Sequence, residues 1–310
     1  MRYWFVILGF ITQLSHAATW RIAYPNSESL LDEQQSYPLQ VLSLALEQTS
    51  VRYELIPTRK VLSQRRAIEQ LKANREINIL WARTDAVKEE ELLAVRVPIY
   101  KGLNGLRLFL VDAESAELMQ PIELLPELRR FIPVQGYDWP DTKILQANGF
   151  EVATGSSQSQ MYRLLQTEQA NFLPRSIIDI WDALDESELP DGVTIESRLA
   201  VHYPTATYFF FNKKNIVLAN LVKTGLERAI YNGSFDKLFA SVHREYLRKA
   251  ELNKRIMFEL KNPLLPKSTP LQDKALWFDA QSHLLKVVTP NEGASSRQPL
   301  KQKPSQTGTQ

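Results

Sequence analysis

INILWARTDAVKEEELLAVRVPIYKGLNGLRLFLVD, residues 77–112, is the stretch of sequence that decides the fold. It begins with an apolar run of strand length over residues 77–81, which predicts a buried strand. Arg83 and Thr84 follow at the carboxyl end of this strand, where open α/β sheets bind their ligands. A charge cluster and two more extended segments come next, and we place a crossing between two lobes at residues 100–111.

This stretch resembles the core of the bacterial extracellular solute-binding proteins of family 3, which have the type II periplasmic binding fold. The resemblance rests on Thr84, Lys88, residues 95–97 and Tyr100, in the order polar turn, short strand, aromatic residue and lobe crossing. In layout it extends over residues 20–260. Lys88 stands near the position where amino-acid binders of the family have an Arg that clamps a ligand carboxylate. A Lys holds an anion as a point charge and not as a bidentate fork.

The composition is that of a globular protein of ordinary charge. The chain has 310 residues, 44% of them hydrophobic and 23% charged, which is enough for two lobes with their own cores. A net charge of +2 argues against a nucleic-acid surface. The absence of cysteine excludes disulfides, thiolate metal sites and a cysteine nucleophile.

Catalysis finds little support in the sequence. His202, His243 and His283 lack metal-ligand spacing, and there is neither a nucleophile-elbow motif nor a phosphate-binding P-loop. We therefore predict a protein that is not an enzyme and that needs no cofactor and no metal.

The N-terminus has the layout of a secretory signal peptide, which we place at residues 1–17. Arg2 supplies the positive charge, residues 3–11 are apolar, and Ser15 and Ala17 are small residues at the −3 and −1 positions. The apolar run is too short to span a membrane. The alternative is a buried N-terminal helix. We predict export to the periplasm.

The order of elements around the opening stretch indicates the architecture. A strand at residues 19–24, a helix at 37–48, a strand at 51–56 closed by Pro57 and a helix at 61–71 precede it. This β-α-β-α-β order predicts a parallel sheet with helical crossovers.

We therefore predict an α/β fold similar to the type II periplasmic binding proteins, with two lobes, each a mostly parallel sheet flanked by helices. Two hinge crossings join the lobes, and the return crossing lies at residues 203–211. The predicted parts are a discontinuous lobe 1 (residues 19–103 and 209–278), an inserted lobe 2 (residues 104–208) and a disordered tail (residues 291–310).

The candidate site residues lie at strand ends and helix starts that face the predicted cleft. Aromatic side chains there can sandwich a ligand, and helix starts carry partial positive charge that suits an anion. The alternatives are core packing for the aromatics, solvated charge for Lys88 and plain helix capping for the turns. The predicted ligand-binding residues are Tyr24, Trp81, Arg83, Thr84, Lys88, Tyr100, Gly136, Tyr137, Asp138, Ser156, Ser157 and Arg175.

Charge indicates the class of ligand. Arg83, Lys88 and Arg175 all turn toward the predicted cleft, and no acid stands at the step where the family's amino-acid binders hold the ligand amino group. We therefore predict a small, polar, anionic solute rather than a zwitterionic amino acid. The predicted function is solute binding by hinge closure in a monomer, with a membrane permease of the ABC type or a sensor as partner and no nucleic acid. The alternatives are a periplasmic enzyme, such as a small-acid lyase or dehydratase, and an orphan sensor or envelope-interaction module with a degenerate cleft.

Export gives a direct test. We expect cleavage after Ala17, so that N-terminal sequencing of protein recovered from the periplasm starts at Ala18 or Thr19. Residues 1–17 found intact on the native soluble protein would contradict the prediction.

Overall fold

The computed structural model describes residues 19–26, 33–184 and 189–279. The predicted signal peptide (residues 1–17) and the predicted disordered tail (residues 291–310) lie outside the described residues. In the described ranges, no helix combines the length and the hydropathy that a membrane span requires.

The first part of the chain alternates strands and helices in the predicted order. Amphipathic spacing and a Ser63 cap explain the second helix, since the Ser63 hydroxyl accepts a hydrogen bond from the Arg66 N–H. The elements are β1 (Trp20–Asn26), α1 (Glu33–Glu47), β2 (Tyr53–Val61), α2 (Gln64–Lys72), β3 (Ile79–Arg83), α3 (Ala86–Glu91) and β4 (Leu93–Val95).

The rest of the chain builds a second sheet and then returns to the first. The elements are β5 (Leu106–Val111), α4 (Ala113–Leu118), α5 (Leu125–Leu128), β6 (Val134–Gly136), α6 (Pro140–Ala147), β7 (Ala153–Gly155), α7 (Gln158–Gln166), β8 (Leu173–Ser176), α8 (Ile180–Leu184), β9 (Thr194–Ile195), β10 (Leu199–His202), β11 (Thr207–Phe211), α9 (Ile216–Tyr231), α10 (Ser234–Ala250) and β12 (Ile256–Glu259).

The described strands form four hydrogen-bonded ladders, two in each half, and the two ladders of each half are together called its sheet. The first sheet is β1-β2 with β3-β11-β4, and the second sheet is β6-β7 with β12-β10-β5-β8 and β9.

The two halves share one plan. In the first half β1 and β2 are parallel, Asn78 before β3 exchanges two 2.8 Å hydrogen bonds with the Ala23 backbone in β1, and β11 is antiparallel to both β3 and β4. In the second half β6 and β7 are parallel, a Pro133–Phe172 bridge leads to β8, and β5 is antiparallel to both β8 and β10. β5 and β11, the strands that enter each sheet from the other half, are buried along their whole length.

The chain passes between the sheets at residues 96–105, from β4 to β5, and at residues 203–206, from β10 to β11. The two crossings run side by side, because the Tyr203 N–H donates to the Gly105 carbonyl at 3.2 Å. Only glycine fits there, since a Cβ on Gly105 would lie 2.0 Å from the Tyr203 carbonyl oxygen. These two crossings therefore form one double strand. The prediction of only two crossings is wrong in number, since the chain crosses twice more, before and after β12.

The C-terminal region requires a correction of the predicted lobes. We predicted residues 209–278 in lobe 1, but after α10 ends at Ala250, β12 joins the second sheet as a parallel neighbour of β10. Phe258 and Leu260 pack in the core of that sheet, which explains the departure. The chain then returns, and Trp277 packs against the core of the first sheet.

The predicted end of the second strand at Pro57 is also wrong. β2 continues through Pro57 to Val61. It pairs only with β1 among the described strands and so lies at the sheet edge, where the missing N–H of a proline costs no ladder hydrogen bond.

The packing of α9 on α1 gives a stability test. A Cβ on Gly225 would lie 1.9 Å from the Ala45 carbonyl oxygen, so Gly225→Ala must push the helices apart. We expect it to lower the free energy of unfolding by about 1–3 kcal/mol, measured by urea denaturation. The matched control is Thr224→Ala on the exposed face of the same helix, which should not destabilise the protein. Equal stability of the two variants would contradict the packing.

Candidate functional site

A cavity of about 310 Å³ opens at the carboxyl end of β3. Two predicted site residues line it, Trp81 and Arg83, and Gln64 and Thr207 add polar side chains. The Tyr24 ring lies 6.1 Å from the Trp81 ring, and burial raises the pKa of the Tyr24 hydroxyl. The remaining lining residues are apolar: Pro25, Leu62, Ala67, Leu80 and Ala82.

Arg83 also belongs to a buried ionic cluster. Its Nη1 lies 2.7 Å from Oδ2 of Asp141, and Nη2 of Arg107 lies 2.7 Å from Oδ1 of the same carboxylate. The Tyr203 hydroxyl donates a further hydrogen bond to Oδ1. The side chain of Asp141 is 1% exposed, that of Arg107 4% and that of Arg83 34%, so only Arg83 faces both the cluster and the solvent.

The electrostatics of the cluster keep all three charges. Burial alone would raise the pKa of the Asp141 carboxyl, but Arg107 and Arg83 outweigh it and hold that pKa well below its usual range. Burial would lower the pKa of Arg107, but Asp141 raises it above its ordinary value. Burial raises the pKa of Tyr203, which keeps its hydroxyl a donor.

The cluster joins the two sheets. Arg83 is the last residue of β3 in the first sheet, and Arg107 is the second residue of β5 in the second sheet. Asp141 lies in the first turn of α6, where a negative charge is favourable, and Tyr203 lies in the return crossing. Our sequence reasoning missed Asp141, Arg107 and Tyr203. The available signal was Arg107, a charge inside the otherwise apolar strand LRLFLV.

Thr84 and Lys88 both contact carboxylates in or directly before α3. The Thr84 hydroxyl donates to Oε1 of Glu89 at 2.7 Å. Asp85 caps the helix by accepting from the Lys88 N–H at 2.8 Å, and it also forms an ion pair with the Lys88 ammonium. The predicted role of Lys88 as a free cleft cation therefore needs correction, because its charge is balanced three residues away.

Tyr100 packs in the core between α1 and α10. Its ring lies 5.1 Å from the Tyr37 ring and 5.9 Å from the His243 ring. The Tyr37 hydroxyl donates to the Ile99 carbonyl, which fixes the turn that carries Tyr100. Tyr100 therefore packs in the core, which was the alternative to ligand contact, and it does not line the cavity.

The turn before α6 contains three of the predicted site residues, Gly136, Tyr137 and Asp138. Trp139 is the N-cap residue of the helix, and Pro140 is its first residue. Gly136 is buried under the Trp139 ring, which a Cβ would approach to 2.7 Å, and this stacking sets where the helix begins. Tyr137 is 68% exposed, and Asp138 is exposed as well.

The start of α7 is satisfied by its own side chains. The Ser157 hydroxyl accepts from the Gln160 N–H at 3.2 Å, and Oε1 of Gln160 accepts from both the N–H and the hydroxyl of Ser156 at 2.8 Å. Ser156 and Ser157 therefore take part in capping the helix, which was the alternative to ligand binding at this turn.

Arg175 lies in β8, 3.9 Å from Asp179 between Nε and Oδ1. Asp179 directly precedes α8, and its Oδ1 is buried. The predicted excess of positive charge therefore needs correction, since Arg83, Lys88 and Arg175 each have a carboxylate beside them.

No protein-family model matches the sequence, and no curated protein matches it. Solved structures do match. One is the probable amino-acid ABC transporter extracellular-binding protein ytmK from Bacillus subtilis, at 15% identity and a TM-score of 0.52, over 73% of this chain and 97% of that chain. Another is the periplasmic VFT2 domain of BvgS from Bordetella pertussis, at 18% identity and a TM-score of 0.52, over 74% of this chain and 93% of that chain.

The chain has the type II periplasmic binding fold. The predicted two-lobed α/β fold class is thereby confirmed, and the resemblance to solute-binding proteins of family 3 is confirmed at the level of the fold. The prediction of mostly parallel sheets is wrong, because β5 and β11 are antiparallel to every strand with which they pair. Identities this low carry the fold alone, so the ligand of this binding-protein fold has to be argued from its own side chains.

His243 in the core of the first sheet gives a pH test. Both of its ring nitrogens are buried without a hydrogen-bond partner among the described residues, and burial lowers its pKa to about 4. The unfolded chain, with a His pKa of about 6.5, binds a proton that the folded chain does not. We therefore expect stability to fall by up to about 3 kcal/mol as the pH falls from about 6.5 to about 4.

Urea denaturation across this pH range measures the effect. His243→Phe, which keeps an aromatic ring against Tyr37, should flatten the pH dependence. An unchanged slope in this variant would contradict the assignment.

Proposed function

We propose that this protein is a periplasmic, two-lobed solute-binding protein that holds a small, polar, anionic ligand between its lobes. The observation that carries the proposal is the cavity at the carboxyl end of β3, where Trp81 and Arg83 meet. Its volume of about 310 Å³ is that of a small-molecule site. Its position is the sheet edge at which α/β folds bind ligands.

The chemistry of the cavity suits an anion with an apolar portion. Trp81 offers an aromatic face, and Gln64 and Thr207 offer hydrogen bonds. The bond from Arg83 to Asp141 uses one of the five N–H donors of the guanidinium group, so others remain for a carboxylate or a phosphate.

The charge count also supports an anionic ligand. In the ionic cluster two guanidinium groups, Arg83 and Arg107, share the single carboxylate of Asp141, which leaves one positive charge in excess. Attraction at this partly buried edge is less screened than in water. The preference for an anion thus rests on Arg83 and Arg107, in place of Lys88 and Arg175.

Binding would act through hinge closure. The residues that line the cavity all belong to the first half, so a ligand there would act on the second lobe through Arg83, which also binds Asp141. Such a link between the lobes would stabilise the closed state, and a membrane permease of the ABC type would then receive the ligand. We propose lobe 1 as residues 19–103, 207–255 and 261–278, and lobe 2 as residues 104–206 with 256–260, so that β11 stays whole in the first sheet. This division keeps β12 with the sheet to which it bonds.

A second candidate is an orphan sensor or interaction module that closes without a solute. The observation that favours it is Asp141 itself, which already occupies one side of the Arg83 guanidinium with a carboxylate of the protein. This candidate predicts that no small molecule stabilises the protein.

A thermal-shift panel of organic acids, amino acids, sugars and polyamines tests the proposal. At about 100 times its dissociation constant, a ligand adds about 2.7 kcal/mol to stability, which raises the Tm by roughly 5–10 °C in a chain of this size. We expect the organic acids to give the shift.

Calorimetric titration of the best acid then tests the role of Arg83. Arg83→Ala should weaken binding by at least about 1.5 kcal/mol, the cost of a lost charged hydrogen bond. Lys237→Ala, an exposed cation on α10, is the matched control and should leave affinity unchanged. A shift from neutral or cationic compounds alone, or an Arg83→Ala protein of unchanged affinity, would overturn the anionic site, and no shift at all would favour the second candidate.

A further inference from the structure

The Asp141 carboxylate is held as proteins hold the carboxylate of a ligand. Arg83 binds Oδ2 and Arg107 binds Oδ1, each at 2.7 Å, and the Tyr203 hydroxyl adds a third donor. Charge-assisted bonds of this length are the strong class of hydrogen bond. The donors come from three separate segments of the chain: the end of β3, the start of β5 and the return crossing.

The carboxylate reaches across from one sheet to the other. α6, which carries Asp141, packs against β6 of the second sheet, whereas Arg83 ends β3 of the first sheet. Arg107 and Tyr203 hold Asp141 on its own side, and the bond to Arg83 is the one that joins the sheets. Parting the sheets at this point would break that bond and leave the carboxylate with its own side's donors alone.

We propose that Arg83 and Arg107 form a carboxylate-binding site between the lobes and that Asp141 fills this site in cis, as a tethered ligand. The lobes then close without any added solute. The inference rests on the cluster and on the fold, and it does not depend on the solute proposed above.

The arrangement has a direct electrostatic reason. Without a carboxylate between them, the two guanidinium groups would repel each other, and the buried Arg107, at 4% exposure, would keep only the attraction of Asp179. Asp141 removes both penalties only when Arg83 lies against it. A small free carboxylate has the same charge and donor requirements, so it should replace the Asp141 side chain once that side chain is removed.

Chemical rescue tests the site. Asp141→Ala should lower the Tm by roughly 10 °C, because it leaves buried charge unpaired. Acetate or formate at about ten times its dissociation constant should then raise the Tm of this variant by about 4 °C. The same ionic strength of chloride should raise it less, and acetate or formate should shift the wild-type protein, in which Asp141 fills the site, by less than it shifts the variant.

Two variants serve as matched controls. Asp141→Asn keeps the shape of the side chain and fills the site, so acetate should not rescue it. The double variant Arg83→Ala with Asp141→Ala lacks the interlobe donor and should respond to acetate no more than the wild type does. Equal acetate shifts in all four proteins would overturn the proposal.

A distance measurement keeps the proposal testable if Asp141→Ala fails to fold. Since the chain has no cysteine, spin labels can be placed on introduced cysteines at Gln146 in α6 and Lys237 in α10, both exposed. We expect one narrow distance distribution without solute, and a longer or broader one after Arg83→Gln. Identical distributions would overturn self-closure.

The outcomes separate this inference from the proposed function. A solute shift in the wild type without acetate rescue of Asp141→Ala would retain the solute site and reject the tethered ligand. Acetate rescue of Asp141→Ala without a solute shift in the wild type would retain the tethered ligand and reject the solute site.

Discussion

The buried carboxylate of Asp141 is the interaction on which the meeting of the two sheets depends. Taking one carboxylate and two guanidinium groups out of water costs several kcal/mol per ion, and only close geometry with further hydrogen bonds offsets that cost. The Asp141 carboxylate meets this requirement with two 2.7 Å ion pairs and the Tyr203 hydroxyl, whereas Nε of Arg107 is buried without a hydrogen-bond partner among the described residues. Its dependence on geometry makes the relative position of β3 and β5 specific.

The paired crossings and the ionic cluster are linked through Tyr203. Tyr203 donates its backbone N–H to Gly105 in the neighbouring crossing and its hydroxyl to Asp141. Because Gly105 leaves no room for a side chain at this contact, the two crossings stay in register, and Arg107, two residues further on, is delivered to the carboxylate. A change in the angle between the two sheets would therefore change the geometry of the ionic cluster, which lies where β3 and β5 meet α6.

The fold was largely predictable from the sequence, and the site was predictable only in part. Apolar runs, the β-α-β order and the crossings before β5 and before β11 are local patterns, and the structure has them, but the two further crossings around β12 were not predicted. Asp141 pairs with residues 58 and 34 positions away, and no local pattern reports such a partner. Trp81 and Tyr100 show the same limit: both are aromatics that end or follow strands, but one lines the cavity and the other packs on α1 and α10, which only tertiary packing decides.

Arg83 links the two proposals, because it is the one member of the ionic cluster that also lines the cavity. An anion bound there would share the guanidinium group with Asp141 and so lie near a second negative charge. That repulsion weakens binding. Arg107, which binds the same Asp141 carboxylate, offsets the repulsion with its own positive charge. The affinity for a solute and the strength of self-closure therefore cannot change independently: whatever strengthens the hold of Asp141 on Arg83 leaves less of Arg83 for a solute.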